Sequence, residues 1–127
     1  MVTSSRPRKA TAKYEELLAI SRDQFEITLA GDEPSEAAHA LLRMALNESD
    51  QPWAEEKLLS ALHDRREEVQ AAAITSIGHL ARIHRSLKNP VIVRELTKLR
   101  EDPKLGSLAE DALEDILIFT RLGAVPS

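Results

Sequence analysis

The chain has 127 residues, a length usual for a single domain, and 43% of them are hydrophobic, enough to fill a core. The absence of cysteine excludes disulfides, thiolate metal sites and thiol nucleophiles. Of the net charge of −4, residues 1–13 contribute +4, which leaves the remaining residues at −8. A body of this sign repels nucleic acid and attracts basic partners.

The chain begins with a basic segment, and residues 1–9 are predicted to form a disordered tail. Residues 10–122 are predicted to form one helical domain. The N-terminus lacks the apolar stretch of a secretory signal, and no apolar run approaches the ~18 residues of a membrane span. We therefore expect a cytoplasmic bacterial protein that makes no membrane contact.

Apolar residues recur every three or four positions along the chain, which is the helical period. This spacing predicts helices near 10–30 (either one helix or two, broken at Ser21), 35–47, 52–63, 65–85, 90–101 and 106–121. The segment FEITL at 25–29 alternates, but it is short and isolated, so a helix is expected there too. Asn89-Pro90 predicts an N-cap, and Ser107 with Glu110 predicts a capping box. Asp64 predicts a looser cap.

Two consecutive pairs of predicted helices, 52–85 and 90–121, match each other after a shift of 39 residues. The shift places four apolar residues of the first pair, Val69, Ala73, Ile77 and Leu80, on Leu108, Ala112, Ile116 and Phe119. The pattern D-x4-V-x2-AA-x3-IG-x-L, beginning at Asp64, resembles the second helix of a HEAT-like repeat of the PBS-lyase type.

The resemblance is good for residues 52–85, fair for 90–121 and weak for 10–47. It implies an all-α fold: a short α-solenoid, or HEAT-like stack, of about three helical pairs whose second helices line a concave, protein-binding face. Asp111 stands where the pattern has a small residue, which leaves the register of the last unit open.

The helix predicted at 65–85 is apolar over more than half of its circumference. Its predicted core residues include Ile74, Ile77, Leu80, Ala81 and Ile83, and Gly78 would permit close approach of a neighbouring helix. His84 falls within the apolar arc and is expected to be a structural histidine with one hydrogen-bonded ring nitrogen. The remaining strip carries candidate partner contacts at Thr75, His79 and Arg82.

An acidic cluster occupies the first half of the last predicted helix at Glu110, Asp111, Glu114 and Asp115. It is either a solvated face, favoured by the helix dipole, or an interaction face for a basic partner. Stacking of adjacent helices could bring His79 and Arg82 close to it, which would make part of the cluster an internal ion pair. Trp53, the only tryptophan, is expected to pack against the preceding helix or to act as a binding anchor.

Residue patterns for chemistry are missing from the sequence. Glu36-x-x-His39 resembles half of a di-iron carboxylate motif, but a second half is absent. Nothing near His79 would serve as its acid, base or nucleophile partner. We therefore expect no catalytic residue, no metal and no cofactor.

These observations favour a non-catalytic protein-binding module. Its most specific form is an immunity protein, or antitoxin, whose acidic helical face neutralises a basic toxin domain, since HEAT-like proteins similar to residues 52–119 occur beside toxin systems. Alternatives are a generic HEAT-repeat scaffold, a nucleic-acid-binding HEAT-like protein, which the charge disfavours, and an accessory role like that of bilin lyases. A homodimer could form through an uncapped end of the stack.

Overall fold

A computed structural model describes residues 19–120, and this range contains helices and no strand. The helices are α1 Arg22–Ala30, α2 Pro34–Asn47, α3 Gln51–Ala61, α4 Glu67–His84, α5 Pro90–Leu99 and α6 Gly106–Phe119. The all-α prediction is therefore confirmed. The predicted tail at 1–9 lies outside the described residues, as do residues 10–18 and 121–122 of the predicted domain, and with 10–18 the first part of the helix predicted near 10–30. None of the described helices is long and apolar enough to cross a membrane.

Several helix starts follow from local capping. The Ser21 hydroxyl accepts a hydrogen bond from the Gln24 backbone N–H at 3.1 Å, so a helix begins directly after Ser21 and includes the FEITL segment. Asn89 caps α5 as predicted, because its Oδ1 accepts from the Val91 N–H at 3.0 Å. Asp50 caps α3 in the same way.

The predicted capping box at Ser107 is wrong, because α6 begins at Gly106 and Ser107 lies inside the helix. The N-cap is Leu105, which makes no side-chain cap bond, and Asp102 orders the turn before it: its Oδ1 accepts from the backbone N–H groups of Lys104 and Leu105 at 2.8 and 2.9 Å. Asp64 lies two residues before the N-cap position, since its Oδ1 accepts from the N–H of the N-cap residue Arg66 at 2.9 Å and α4 begins at Glu67.

The helices form two layers. In one layer α4 packs between α2 and α6, and in the other α1, α3 and α5 pack on α2, α4 and α6 respectively. This arrangement of three helical pairs is what the sequence predicts. Membership of the HEAT-like repeat family stays a prediction. The central position of α4 explains its width of apolar surface, because three helices cover it.

The core face of α4 agrees with the helical wheel, except at its end. Ile74, Ile77, Leu80 and Ala81 are fully buried, whereas Ile83 is 49% exposed and its prediction as a core residue is wrong. The wheel treats a helix as covered along its whole length, but Ile83 lies in the last turn, just before the chain leaves the helix at Arg85. His84 is half-buried, and within residues 19–120 its Nε2 has no hydrogen-bond partner; the expectation of one hydrogen-bonded ring nitrogen did not specify Nε2 and stays a prediction.

A buried carboxylate joins α3 to the loop between α4 and α5. Glu55 is 1% exposed, and it accepts from the backbone N–H groups of Lys88 and Asn89 at 2.8 and 2.7 Å and from the Gln51 side-chain amide at 2.8 Å. Gln51 also donates to the Ser86 carbonyl at 2.8 Å. We call this network the Glu55 junction. It pairs backbone groups of the loop that would otherwise be buried without partners.

Candidate protein-binding site

A groove of about 210 Å³ runs between α4 and α6. It contains five of the eight side chains that the sequence singles out for partner binding. Its lining residues are Ile74, Thr75, Gly78, His79, Arg82, Leu108, Asp111, Ala112 and Asp115. We call this feature the α4–α6 groove. The groove forms because the side of α4 that does not pack into the core faces α6, a helix of the same layer.

Gly78 forms the floor of the groove and sets how closely α6 approaches. A Cβ at this position would lie 2.9 Å from Asp115 Oδ2 and 3.9 Å from the Ala112 Cα atom. Because the first distance is shorter than real Cβ contacts, only glycine lets the Asp115 carboxylate rest where it does. The predicted close approach at Gly78 is confirmed.

An ion pair crosses the groove between Arg82 Nη2 and Asp115 Oδ2 at 3.2 Å, with side chains that are 47% and 25% exposed respectively. The Arg82 guanidinium also lies 5.8 Å from the centre of the Phe119 ring. Beside the solvated and the interaction face, the sequence raised an internal ion pair as a further possibility, and for Asp115 that ion pair is present.

His79 lies half-buried in the same groove. Burial lowers its pKa below the ordinary value, and the positive charge of Arg82 acts in the same direction, while Asp115 opposes both. The imidazole is therefore neutral at pH 7, so His79 adds hydrogen-bonding capacity to the groove and no positive charge.

The other acids of the cluster divide between the groove and the opposite side of α6. Asp111 and Glu114 are exposed, and within residues 19–120 neither has an ion-pair or hydrogen-bond partner. Glu110 lies 3.7 Å from Arg100 Nε in an exposed pair. Asp111 and Asp115 line the α4–α6 groove, whereas Glu110, Asp111 and Glu114 line a second, shallow depression of about 280 Å³ beside Arg100.

Trp53 lies apart from these acids. Its ring makes an edge-to-face contact with Phe25 of α1 at 5.6 Å between centroids, and the Arg22 guanidinium lies 4.3 Å from its centre. Lys57 approaches the same ring to 5.4 Å. The tryptophan thus joins α3 to α1, and it does not line the groove.

Two exposed apolar residues near the acids were missed by the sequence reasoning. Leu117 and Ile118 are 52% and 64% exposed at the end of α6, and Leu117 lines the depression beside Arg100. The signal was present, because the run ILIF at 116–119 is wider than the single apolar face assigned to this helix. No group of three or more potential metal ligands occurs among the described residues.

No protein-family model matches the chain, and no curated protein matches it. A solved structure does match: a chain of the CDI complex from Cupriavidus taiwanensis LMG 19424, with a TM-score of 0.66 and 31% sequence identity. The match covers 80% of this chain and 90% of that chain. At this identity and coverage, the protein belongs to the same family as the matched chain of the Cupriavidus taiwanensis CDI complex.

Proposed function

We propose that this chain is an immunity protein that binds and neutralises a toxin of a contact-dependent inhibition system. The observation that carries the proposal is the relationship to a chain of a CDI complex, at 31% identity over 90% of that chain. Contact-dependent inhibition pairs a toxin with an immunity protein, so a member of this family has a protein partner of the other kind.

The charge of the chain supports the immunity role. The binding surface proposed here is the α4–α6 groove with the exposed acids beside it, namely Asp111 and Glu114, which have no partner of their own in the described range. Unpaired carboxylates attract a basic protein surface and accelerate its approach. The proposed surface also includes Glu110, and within the groove it includes Thr75 and His79. Trp53 would extend it only if the toxin also reached the α1 side.

Neutralisation of this kind requires no reaction. An immunity protein acts by covering the toxin's working surface, and it remains bound because the buried contacts dissociate slowly. The proposed function is therefore non-catalytic, and it needs no cofactor. The proposal also predicts the charge of the partner's surface: the toxin face that meets the groove is basic.

Co-expression tests the proposal directly. The product of the reading frame beside this chain's gene is tested as the toxin, and it is expressed in Escherichia coli alone, with this chain, and with this chain carrying Asp111→Lys and Glu114→Lys. We expect the toxin alone to stop growth, the unmodified chain to restore it, and the charge-reversed chain to restore it less well. Purified toxin and chain should also form a complex in isothermal titration calorimetry.

Three results would contradict the proposal. The first is growth arrest by this chain alone, which would make it the toxin. The second is the absence of both protection and complex formation. The third is tight binding of the purified chain to duplex DNA at physiological salt, which would favour the nucleic-acid-binding alternative.

A further inference from the structure

The α4–α6 groove contains more acceptor capacity than the chain itself uses. Asp111 and Asp115 lie one helical turn apart on α6 and line the same groove, yet the Arg82 guanidinium engages only Asp115, through Nη2 at 3.2 Å. Asp111 has no ion-pair or hydrogen-bond partner within residues 19–120. Asp115 is thus paired with Arg82 of the same chain, whereas Asp111 is available to a partner.

The walls of the groove suit the stem of a long basic side chain. Leu108, which is half-buried, provides apolar surface, and the exposed Thr75 provides a hydroxyl. Lysine and arginine bury their methylene groups along such surfaces while the charged end meets carboxylates. A volume of about 210 Å³ accommodates one such side chain.

Arg82 can leave Asp115 without losing every favourable contact. Its guanidinium lies 5.8 Å from the Phe119 ring centre, and Arg82 remains 47% exposed, so after displacement it rests on the ring and in water. Exposed ion pairs of this kind contribute little stability. Exchange of one guanidinium for another at Asp115 therefore costs little.

We propose that Arg82 is an internal substitute for a basic side chain of the toxin, which enters the α4–α6 groove between Asp111 and Asp115 and displaces Arg82. This inference rests on the proposed function, and it adds to it the chemistry of the partner's contact: an arginine or lysine side chain. It also reverses the usual expectation for a residue of a binding site, because removal of Arg82 strengthens binding.

The test compares two variants that each remove one positive charge. Arg82→Gln opens the groove, whereas Arg94→Gln changes an exposed arginine of α5 that does not line it. Affinities for the purified toxin domain are measured by surface plasmon resonance at 0.15 M salt, where exposed charges more than ~8 Å apart are largely screened. We expect Arg82→Gln to increase affinity about two- to fivefold, the range for one exposed ion pair, and Arg94→Gln to leave it nearly unchanged.

A second variant ties the effect to the groove. In an Asp115→Asn background, Arg82→Gln should give no gain, because the carboxylate that it uncovers is gone. Equal gains from Arg94→Gln and Arg82→Gln, a gain that persists with Asp115→Asn, or a loss of affinity on Arg82→Gln would each overturn the inference while leaving the immunity role intact. Failure of the unmodified chain to bind the toxin would overturn both. Thermal unfolding of each variant shows whether the fold is retained.

Discussion

The carboxylates at two places in this molecule differ in how far the chain itself satisfies them with hydrogen bonds. At the Glu55 junction, a carboxylate that is 1% exposed accepts three hydrogen bonds from N–H groups of its own chain. At the α4–α6 groove, Asp111 is exposed and accepts none within the described residues. The first group is complete in the free protein, and the second has capacity that only a partner can use.

This difference in hydrogen bonding distinguishes structural acids from candidate binding acids, which a count of acids or a net charge does not do. A buried carboxylate whose acceptor sites are filled stabilises the fold, because removal of a partner leaves a desolvated group unpaired. An exposed carboxylate without partners contributes little to stability, and its removal is cheap. Mutations at the two regions should therefore affect different measurements.

The largest effect on stability is expected at the Glu55 junction. Glu55→Gln replaces one acceptor oxygen by an NH2 group that faces backbone or amide donors, so the free energy of unfolding should fall by about 2–3 kcal/mol. Denaturation in guanidinium chloride measures this change. Glu56→Gln, on the exposed neighbour, is the control and should stay within about 0.5 kcal/mol. A loss below 0.5 kcal/mol at Glu55 would show that the junction does not stabilise the fold.

The reverse pattern is expected at the groove. Asp111→Lys with Glu114→Lys should reduce toxin affinity about tenfold to thirtyfold through charge repulsion, with little change in the unfolding midpoint. The matched control, Glu33→Lys with Glu56→Lys, makes the same charge change at the exposed N-cap residue of α2 and at an exposed position of α3. Surface plasmon resonance would detect the difference, and equal losses in both double variants would point to net charge alone.

A smaller change should separate stability from binding at one residue. Gly78→Ala removes a glycine from the middle of α4, which favours the helix by up to about 1 kcal/mol, but the new Cβ displaces the Asp115 carboxylate. We expect the free energy of unfolding to stay the same or rise slightly. The affinity for the toxin should fall about two- to fivefold, the effect of losing one exposed ion pair between Asp115 and the toxin. Asp115→Ala combined with Gly78→Ala relieves the contact and should show the full gain in stability. A clear loss of stability in Gly78→Ala alone would contradict this account.

The smallest effect concerns pH. Burial and Arg82 lower the pKa of His79, with Asp115 opposing them, so the unfolded chain binds more protons at this site than the folded chain does. Stability is therefore highest above the unfolded pKa of about 6.5 and declines as pH falls below it. His79→Gln should remove this part of the decline between pH 7 and pH 5.5 in denaturation curves, and an unchanged slope would contradict it.

The helical period was enough to predict the helices and most of the core. On α4 the prediction of the core succeeded because three neighbouring helices cover the apolar side of the helix. Val69, Ala73, Ile77 and Leu80 recur with that period and are all fully buried. The same reasoning placed Thr75, His79 and Arg82 on the strip that lines the groove. A local pattern succeeds here because burial follows directly from which side of the helix a residue occupies.

Other features depend on partners distant in the chain, and the pattern could not reveal them. Glu55 is a charged residue like its exposed neighbour Glu56, and only the loop 33 and 34 residues later distinguishes them. α6 begins one residue before Ser107, after a turn in which the Asp102 carboxylate accepts from the Lys104 and Leu105 N–H groups, and the capping pattern alone could not reveal that turn. Partner binding by the predicted site residues remains a prediction.

The placement of the groove on α4 has a consequence for how such proteins diverge. Core and groove positions interleave along this one helix, so Thr75, His79 and Arg82 can each be exchanged while Ala73, Ile77 and Leu80 stay packed. On the proposed binding surface, residues that would set partner preference are therefore distinct from residues that hold the fold. Substitutions on this strip of one helix therefore alter the proposed binding surface without opening a cavity beneath it.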